Sequence, residues 1–258
     1  MIHRVHNHRG GEVLRVVIGE DSAFMRRLIV DALEEDPGIE VIGEAADGRE
    51  ALRMVVELRP DCVTLDLEMP RMDGLETLRY IMGEWPTPVV ILSAHTESGA
   101  RTTFDCLEAG AVDFVTKTRR GSVFDGAELR SKVRAAASVD AAKVRFEPPA
   151  RSMKVARRRA VSTDPCHAVI IGASTGGPQA LMEVVPRLPA DLEAAVVVVQ
   201  HMPPNFTRYM AERLDACSML PVIEAEEGMP VRPGQVIVAP GGMHLFVQER
   251  RTCPAFML

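Results

Sequence analysis

Residues 167–178 read His-Ala-Val-Ile-Ile-Gly-Ala-Ser-Thr-Gly-Gly-Pro, and they give the clearest indication of the fold in the C-terminal part of the chain. The run from Ala168 to Ile171 is short, apolar and rich in β-branched residues, which predicts a strand buried on both faces. Gly176 and Gly177 allow a sharp turn, and Pro178 suits the first position of a helix. The stretch therefore predicts a strand, a tight turn and a helix in succession.

Ser174 occupies the predicted turn between this strand and the helix. A serine at such a turn exposes its hydroxyl, and neighbouring backbone N–H groups can stabilise a developing oxyanion. A glycine-rich turn of this kind also suits phosphate binding, or a plain connection between two elements. The motif alone leaves these interpretations open.

His201 favours the catalytic interpretation through its position in the next predicted strand. The apolar run Val196–Val199 is followed at once by Gln200 and His201. If the two strands are neighbours, their axes lie about 4.8 Å apart. Ser174 and His201 then stand at adjacent carboxyl ends, within reach of a hydrogen bond between a nucleophile and its base.

The composition sets limits on the class of protein. A chain of 258 residues favours two domains, and 47% hydrophobic with 26% charged residues is ordinary for a globular protein. A net charge of −6 argues against a nucleic-acid partner. Apolar runs such as Ala194–Val199 are far too short to span a bilayer. The N-terminus lacks the apolar core of a signal peptide, so we expect a cytoplasmic protein whose scattered cysteines are reduced thiols.

The N-terminal half alternates strand and helix patterns from Val13 to about Ala137. A helix is predicted where Met25, Leu28, Ile29, Ala32 and Leu33 form one apolar stripe. Repeated βα units of this kind predict an α/β fold with a parallel, doubly wound sheet, whose ligands bind at the carboxyl ends of the strands. The predicted strands are Leu14–Ile18, Ile39–Gly43, Cys62–Leu65, Val89–Leu92 and Val112–Val115.

Reactive side chains follow four of these five strands. Glu20 and Asp21 follow the first strand, Asp66 the third, Ser93 the fourth and Lys117 the fifth. Crowded carboxylates repel one another unless a cation joins them, and oxygen ligands favour Mg²⁺. A carboxylate can also act as the nucleophile in phosphoryl transfer, with an ammonium and a hydroxyl stabilising the added oxygens. The second strand is followed by Ala45 and Ala46, as expected if it lies at the sheet edge away from the site.

These residues resemble the receiver domain of two-component response regulators. The matching motifs are Gly-Glu20-Asp21-Ser, Leu-Asp66-Leu-Glu-Met-Pro-Arg-Met-Asp-Gly74, Leu-Ser93-Ala and Asp-Phe114-Val-Thr-Lys117. The resemblance implies a flavodoxin-like fold with Asp66 as the phosphoacceptor and a histidine kinase of chemotaxis as the phosphodonor. It implies that Ser93 and Phe114 are switch positions. The implied Mg²⁺ ligands are Glu20, Asp21, Asp66 and the backbone carbonyl of Glu68.

The C-terminal motifs resemble the catalytic domain of the chemotaxis protein-glutamate methylesterases (CheB). They are Gly172-Ala-Ser174-Thr-Gly-Gly-Pro178, Gln-His201-Met-Pro, Arg213-Leu-Asp215, Glu224-Ala-Glu-Glu-Gly228 and Val238-Ala-Pro-Gly-Gly-Met-His244-Leu. The resemblance implies a Rossmann-like domain in which Ser174 attacks the methyl ester of a glutamate on a chemoreceptor. It implies that His201 is the base and that Thr175 helps to hold the oxyanion. Such a carboxylic ester hydrolase needs no cofactor, and some members also deamidate glutamine.

The expected organisation has four parts. We expect a disordered tail over 1–12, a receiver domain over 13–137, a linker over 138–164 and a methylesterase domain over 165–258. The last is expected to be incomplete, because the family's triad Asp lies in a later segment and the only Asp after His201 is Asp215. We therefore expect weak or absent esterase activity and an uncovered apolar sheet edge. The alternative function is a receiver-containing binding module or phosphate sink.

Overall fold

A parallel sheet of five strands forms the centre of the N-terminal unit in the computed structural model. The structure describes residues 13–94, 96–117, 124–143, 167–248 and 254–258. The chain divides into two units, Met1–Phe146 and Glu147–Leu258. The strands of the first unit are β1 (Leu14–Gly19), β2 (Ile39–Ala45), β3 (Cys62–Asp66), β4 (Val89–Ala94) and β5 (Asp113–Lys117).

The strand order is β2-β1-β3-β4-β5, with every pair parallel. This is the flavodoxin-like order, and it confirms the predicted doubly wound sheet. Each predicted strand is present, although its ends differ by one or two residues. β2 lies at one edge, as predicted, so the carboxyl ends of β1, β3, β4 and β5 lie side by side.

Five helices connect these strands, and a polar residue caps the start of each. The helices are α1 (Ala23–Glu34), α2 (Gly48–Leu58), α3 (Gly74–Glu84), α4 (Glu97–Glu108) and α5 (Gly126–Ala137). The cap side chain accepts a hydrogen bond from a backbone N–H of the first turn in every case. Each such cap stabilises the fold by about 1 kcal/mol. The caps are Ser22, Asp47, Asp73, Thr96 and Asp125.

The core of the first unit lies between the sheet and its helices. Val16, Ile18 and Leu92 are fully buried on the sheet, and α1 packs Ile29 and Leu33 against them. The predicted apolar stripe of α1 is therefore confirmed. Burial of side chains of this size stabilises the fold by about 1.5–3 kcal/mol each.

The second unit contains a parallel sheet of four strands in the order β6-β7-β9-β8. Its elements are β6 (His167–Ala173), α6 (Gly177–Val184), β7 (Ala194–Gln200), α7 (Phe206–Cys217), β8 (Val222–Glu224) and β9 (Gln235–Val238). A short antiparallel pair, β10 (Phe246–Gln248) and β11 (Ala255–Met257), follows. The predicted strand–turn–helix over 167–178 is confirmed.

The predicted burial of this first strand is wrong. Within the described residues β6 pairs only with β7 and forms one edge of the sheet. Val169 is 46% exposed and Ile170 is 74% exposed. An apolar sequence indicates a strand that can be buried, but the exposure depends on what packs on its two faces. The exposure agrees with the expectation of an uncovered apolar edge on this sheet.

Several expectations lie outside the described residues. They are the disordered tail over 1–12, most of the linker over 138–164, and the thiols of Cys166 and Cys253. Among the helices that the structure describes, none is long and apolar enough to span a bilayer.

Candidate functional site

Three carboxylates meet at the carboxyl edge of the first sheet. Glu20 and Asp21 follow β1, and Asp66 ends β3, which pairs with β1 in parallel register. One ligand oxygen from each residue lies within 4.8 Å of the others. Glu20 and Asp66 are buried, whereas Asp21 is exposed. The predicted cluster is therefore present.

Lys117 joins the two buried carboxylates. Its Nζ lies 2.8 Å from Glu20 Oε2 and 2.8 Å from Asp66 Oδ2. Burial raises the pKa of Glu20. A hydrogen bond from Lys117 lowers this pKa, whereas the negative charge of Asp66 raises it further, so the pKa remains raised. Burial lowers the pKa of Lys117, but the charges and hydrogen bonds of Asp66 and Glu20 outweigh burial and leave that pKa raised. The ammonium therefore stays charged at neutral pH.

The three carboxylates fit a divalent cation. The Lys117 ammonium offsets only one of the three carboxylate charges. The carboxylate oxygens face an exposed side where water can complete the coordination of Mg²⁺. Glu68 is exposed next to the cluster and lines the same cavity as Asp66. The four residues that the sequence named as Mg²⁺ ligands therefore lie at the same edge of the sheet.

A cavity of about 430 Å³ opens beside Asp66. Asp66, Glu68, Ala94, Gly99 and Lys117 are among the residues that line it. The backbone N–H of Leu67 donates to Asp66 Oδ1 at 2.8 Å, so one carboxylate oxygen is oriented by the main chain and the other by Lys117. The cavity is large enough for a phosphoryl group and accompanying water.

Gly74 shapes the loop that follows Asp66. Its N–H donates to the Leu67 carbonyl at 3.0 Å, which brings the start of α3 back against the end of β3. A Cβ at this position would overlap the Asp66 carbonyl oxygen. The close approach explains why the motif that begins at Asp66 ends in glycine.

The two residues named as switch positions, Ser93 and Phe114, are buried outside this cavity lining. The Ser93 hydroxyl lies 2.6 Å from the Thr103 hydroxyl of α4. The Phe114 carbonyl accepts a hydrogen bond of 2.6 Å from Lys132, whose Nζ lies 5.1 Å from the ring centroid. Thr103 and Lys132 were not identified from the sequence, because helical periodicity does not show which strand residue a helix contacts.

Ser174 and His201 stand at adjacent strand ends in the second sheet. β6 and β7 are parallel neighbours in which Ala173 pairs with Gln200, so the next residues are Ser174 and His201. The His201 N–H donates to the Ala173 carbonyl at 3.0 Å. Both Ser174 and His201 are exposed, while Thr175 is half-buried. The predicted neighbourhood of the two strands is confirmed.

Gln200 links the two turns that follow these strands. Its buried side-chain Nε2 donates to the Ser174 carbonyl at 2.9 Å and to the His201 carbonyl at 3.2 Å. A Cβ at Gly177 would overlap Gln200 Oε1, so the glycine leaves room for this amide. This role of Gln200 was not predicted from the sequence, although the residue directly precedes His201.

Two carboxylates after His201 are engaged elsewhere in the part of the second unit that the structure describes. Asp215 lies on α7 and accepts a hydrogen bond of 2.9 Å from the N–H of Val222. Glu224 accepts one of 2.6 Å from Thr207. No hydrogen bond or ion pair joins the His201 imidazole to a carboxylate among these described residues. Asp215 is thus a helix residue that lies away from the triad position.

Two families match the chain in sequence. The response regulator receiver domain family matches residues 16–134, and the CheB methylesterase family matches residues 169–256.

Named proteins from other organisms are also similar to the chain. The protein-glutamate methylesterase/protein-glutamine glutaminase of Symbiobacterium thermophilum is 51% identical over 250 residues, which cover 91% of this chain and 69% of that protein. The protein of the same name from Pyrococcus horikoshii is 44% identical over 258 residues, covering 96% of this chain and 69% of the relative. The crystal structure of the response regulator domain of Thermotoga maritima CheB is 41% identical, with a TM-score of 0.46, and covers 50% of this chain and 99% of that chain.

Proposed function

Because the chain belongs to the protein-glutamate methylesterase/protein-glutamine glutaminase family of hydrolases, we propose that it hydrolyses glutamate methyl esters on chemoreceptors under the control of phosphorylation at Asp66. The observation that carries the hydrolytic part is the register of β6 and β7, which places Ser174 and His201 at adjacent strand ends. We assign 13–137 to the receiver domain, 138–164 to the linker and 165–258 to the methylesterase domain.

The receiver reaction is a phosphoryl transfer. An Asp66 oxygen attacks the phosphorus of a phosphohistidine on a chemotaxis kinase, the new O–P bond forms, and the P–N bond breaks to release the kinase imidazole. The Lys117 ammonium and the Ser93 hydroxyl then bind the transferred oxygens. Glu20, Asp21, Asp66 and the Glu68 carbonyl would hold Mg²⁺, which when bound neutralises charge on the phosphoryl group.

The ester reaction runs through an acyl-enzyme. Ser174 Oγ attacks the ester carbonyl while His201 takes its proton, and the C–O bond to methanol breaks as His201 returns that proton. His201 next activates a water, which hydrolyses the acyl-enzyme to a free glutamate. Thr175 is assigned to oxyanion stabilisation through its N–H or hydroxyl. A glutamine substrate would release ammonia by the same route, and neither reaction uses a cofactor.

The partners follow from these reactions. They are a chemotaxis histidine kinase as phosphodonor and a methylated chemoreceptor as substrate. We assign the protein to the cytoplasm, with no nucleic-acid partner and no direct insertion into the membrane.

A second function is favoured by the surroundings of His201. No described carboxylate orients its imidazole, and loss of such a partner alone can lower turnover by about 10⁴. A chain of this kind would serve as a receiver-containing binding module or a phosphate sink.

Methanol release from methylated chemoreceptor membranes tests the first function against the second. For the esterase, wild-type protein releases methanol faster with acetyl phosphate and Mg²⁺ present, Asp66→Asn loses that increase, and Ser174→Ala releases none. Phosphorylation at Asp66 without any Ser174-dependent methanol release would leave the binding module as the function.

A further inference from the structure

The Ser93 hydroxyl is held by groups on the α4 side of the sheet. Its Oγ lies 2.6 Å from Thr103 Oγ1, whereas the carbonyl oxygens of Ala94 and Gly99 are farther away, at 3.3 Å and 3.4 Å. Ser93 and Thr103 are both 0% exposed, so water does not compete for this contact. The Thr103 bond is therefore the short, strong contact of the Ser93 hydroxyl.

Thr103 is itself fixed in place by its helix. Its Oγ1 lies 2.7 Å from the carbonyl of Gly99, one helical turn earlier on α4. Hydroxyl–carbonyl bonds of this kind hold a threonine side chain in one rotamer. The position of the Ser93 partner therefore depends on α4 and does not follow from β4 alone.

This arrangement keeps the Ser93 hydroxyl away from the phosphoryl cavity. Asp66, Ala94, Gly99 and Lys117 line that cavity, whereas Ser93 is not among its lining residues. A hydroxyl that is to bind a phosphoryl group on Asp66 must leave Thr103 and turn towards the cavity. The free energy of the Ser93–Thr103 bond therefore opposes phosphoryl binding.

We propose that Thr103 is a positioning residue that holds the Ser93 hydroxyl outside the phosphoryl cavity and so sets how tightly the receiver retains a phosphoryl group. The proposal rests on the phosphoryl acceptance at Asp66 proposed above. Removing the Thr103 hydroxyl destabilises the unphosphorylated arrangement, in which the bond is made. The same removal destabilises the phosphorylated arrangement less, because the Ser93 hydroxyl no longer bonds Thr103 there. The equilibrium therefore shifts towards the phosphorylated state.

The test measures the affinity of the full chain for beryllium fluoride, a phosphoryl mimic, in the presence of Mg²⁺. Thr103→Val keeps the shape and removes the hydroxyl, and we expect it to bind about 3- to 10-fold more tightly, as the loss of one buried hydrogen bond implies. Thr103→Ser keeps the hydroxyl and should bind as wild type does. Thr77→Val is the matched control, because Thr77 is equally buried and bonds the carbonyl of Asp73 four residues earlier.

A Ser93→Ala background separates positioning from a general structural effect. There Thr103→Val should change the affinity by less than about twofold, since the bond it removes no longer exists. If Thr103→Val does not show native far-UV circular dichroism, Thr103→Ala replaces it in both backgrounds.

The outcomes distinguish the positioning role from the receiver function. Labelling of wild type by acetyl phosphate at Asp66, absent in Asp66→Asn, shows that the receiver works, and failure of wild type to be labelled overturns the proposed function itself. If wild type is labelled, an unchanged or weaker affinity of Thr103→Val for beryllium fluoride overturns the positioning role alone. The positioning role is also overturned if Thr103→Val increases this affinity in the Ser93→Ala background.

Discussion

Lys117 Nζ and Asp66 Oδ2 lie 2.8 Å apart, at the ends of two strands that are not neighbours in the sheet. The same ammonium reaches Glu20 Oε2 at 2.8 Å. One cation thus holds together two buried carboxylates that would otherwise repel each other. Its charge also stands where an incoming phosphoryl group needs a positive partner, so a single side chain serves both the resting and the proposed phosphorylated state.

Replacing Lys117 should separate phosphoryl uptake from metal affinity. Lys117→Met removes a charge that repels Mg²⁺, so we expect Mg²⁺ to bind more tightly. The same variant lacks a charge-assisted bond to the phosphoryl group, so we expect labelling by acetyl phosphate to fall about 10- to 100-fold. Mg²⁺ titration and intact mass spectrometry measure the two quantities. Arg53→Met, which removes an exposed ion pair with Glu50, is the control, and equal labelling of both variants would contradict the role of Lys117.

Asp36 should stay ionised in acid because of Arg134. The pKa of Asp36 is lowered from 3.8 to about 2, mainly because Arg134 donates a bidentate hydrogen bond to its carboxylate. A hydrogen bond from the N–H of Gly38 makes the next largest contribution. Carboxyl carbon shifts in NMR should show Asp36 mostly ionised at pH 3, and Arg134→Met should restore protonation there.

The sign of the stability effect follows from this lowered pKa. The stabilisation by the Asp36 carboxylate is present above pH 4 and is lost as the pH falls through about 2. The difference in urea midpoint between wild type and Arg134→Met should therefore shrink as the pH falls from 5 towards 2. A difference that grows with acid would show that the pair does not act through this titration.

Gly177→Ala should loosen the turns that carry Ser174 and His201. The added Cβ would overlap Gln200 Oε1 and lie 2.8 Å from Ala173 Cβ, so the amide that bonds both turns must move. We expect hydrogen exchange of peptides from β6 and β7 to quicken about tenfold, since overpacking typically costs about 1–3 kcal/mol.

Gly172→Ala is the matched control in the same motif, because no atom of the described residues lies within 4 Å of a Cβ built at Gly172. Its exchange should stay close to that of wild type. Equal exchange in the two variants would show that the contact between Gly177 and Gln200 does not hold the turns.

The buried thiols of the first unit should resist alkylation in the native protein. Burial raises the pKa of Cys62 to about 12 and that of Cys106 to about 12, so thiolate is scarce at pH 8. Iodoacetamide followed by peptide mapping should modify both only after unfolding in urea. Cys217 is half-buried and serves as the internal comparison that reacts sooner. Native modification of Cys62 at the rate seen in urea would contradict this account.

The sequence alone indicated the alternation of strands and helices and the reactive residues at the strand ends. It could do so because apolar periodicity reports local conformation, and parallel strands bring their carboxyl ends to one edge. The sequence therefore predicts that Glu20, Asp66 and Lys117 lie together. It predicts the same for Ser174 and His201, provided that their strands are neighbours.

Contacts between distant elements depend on the tertiary packing and could not be predicted from the sequence. The apolar run in β6 was expected to be buried, yet Ile170 is exposed, because burial depends on the position of the strand in the sheet and on the layers that cover it. The bond from Thr103 to Ser93 and the bonds from Gln200 to the backbone of two turns depend likewise on packing. Sequence patterns describe what each segment can bury, whereas the three-dimensional packing of helices on strands determines which polar atoms meet.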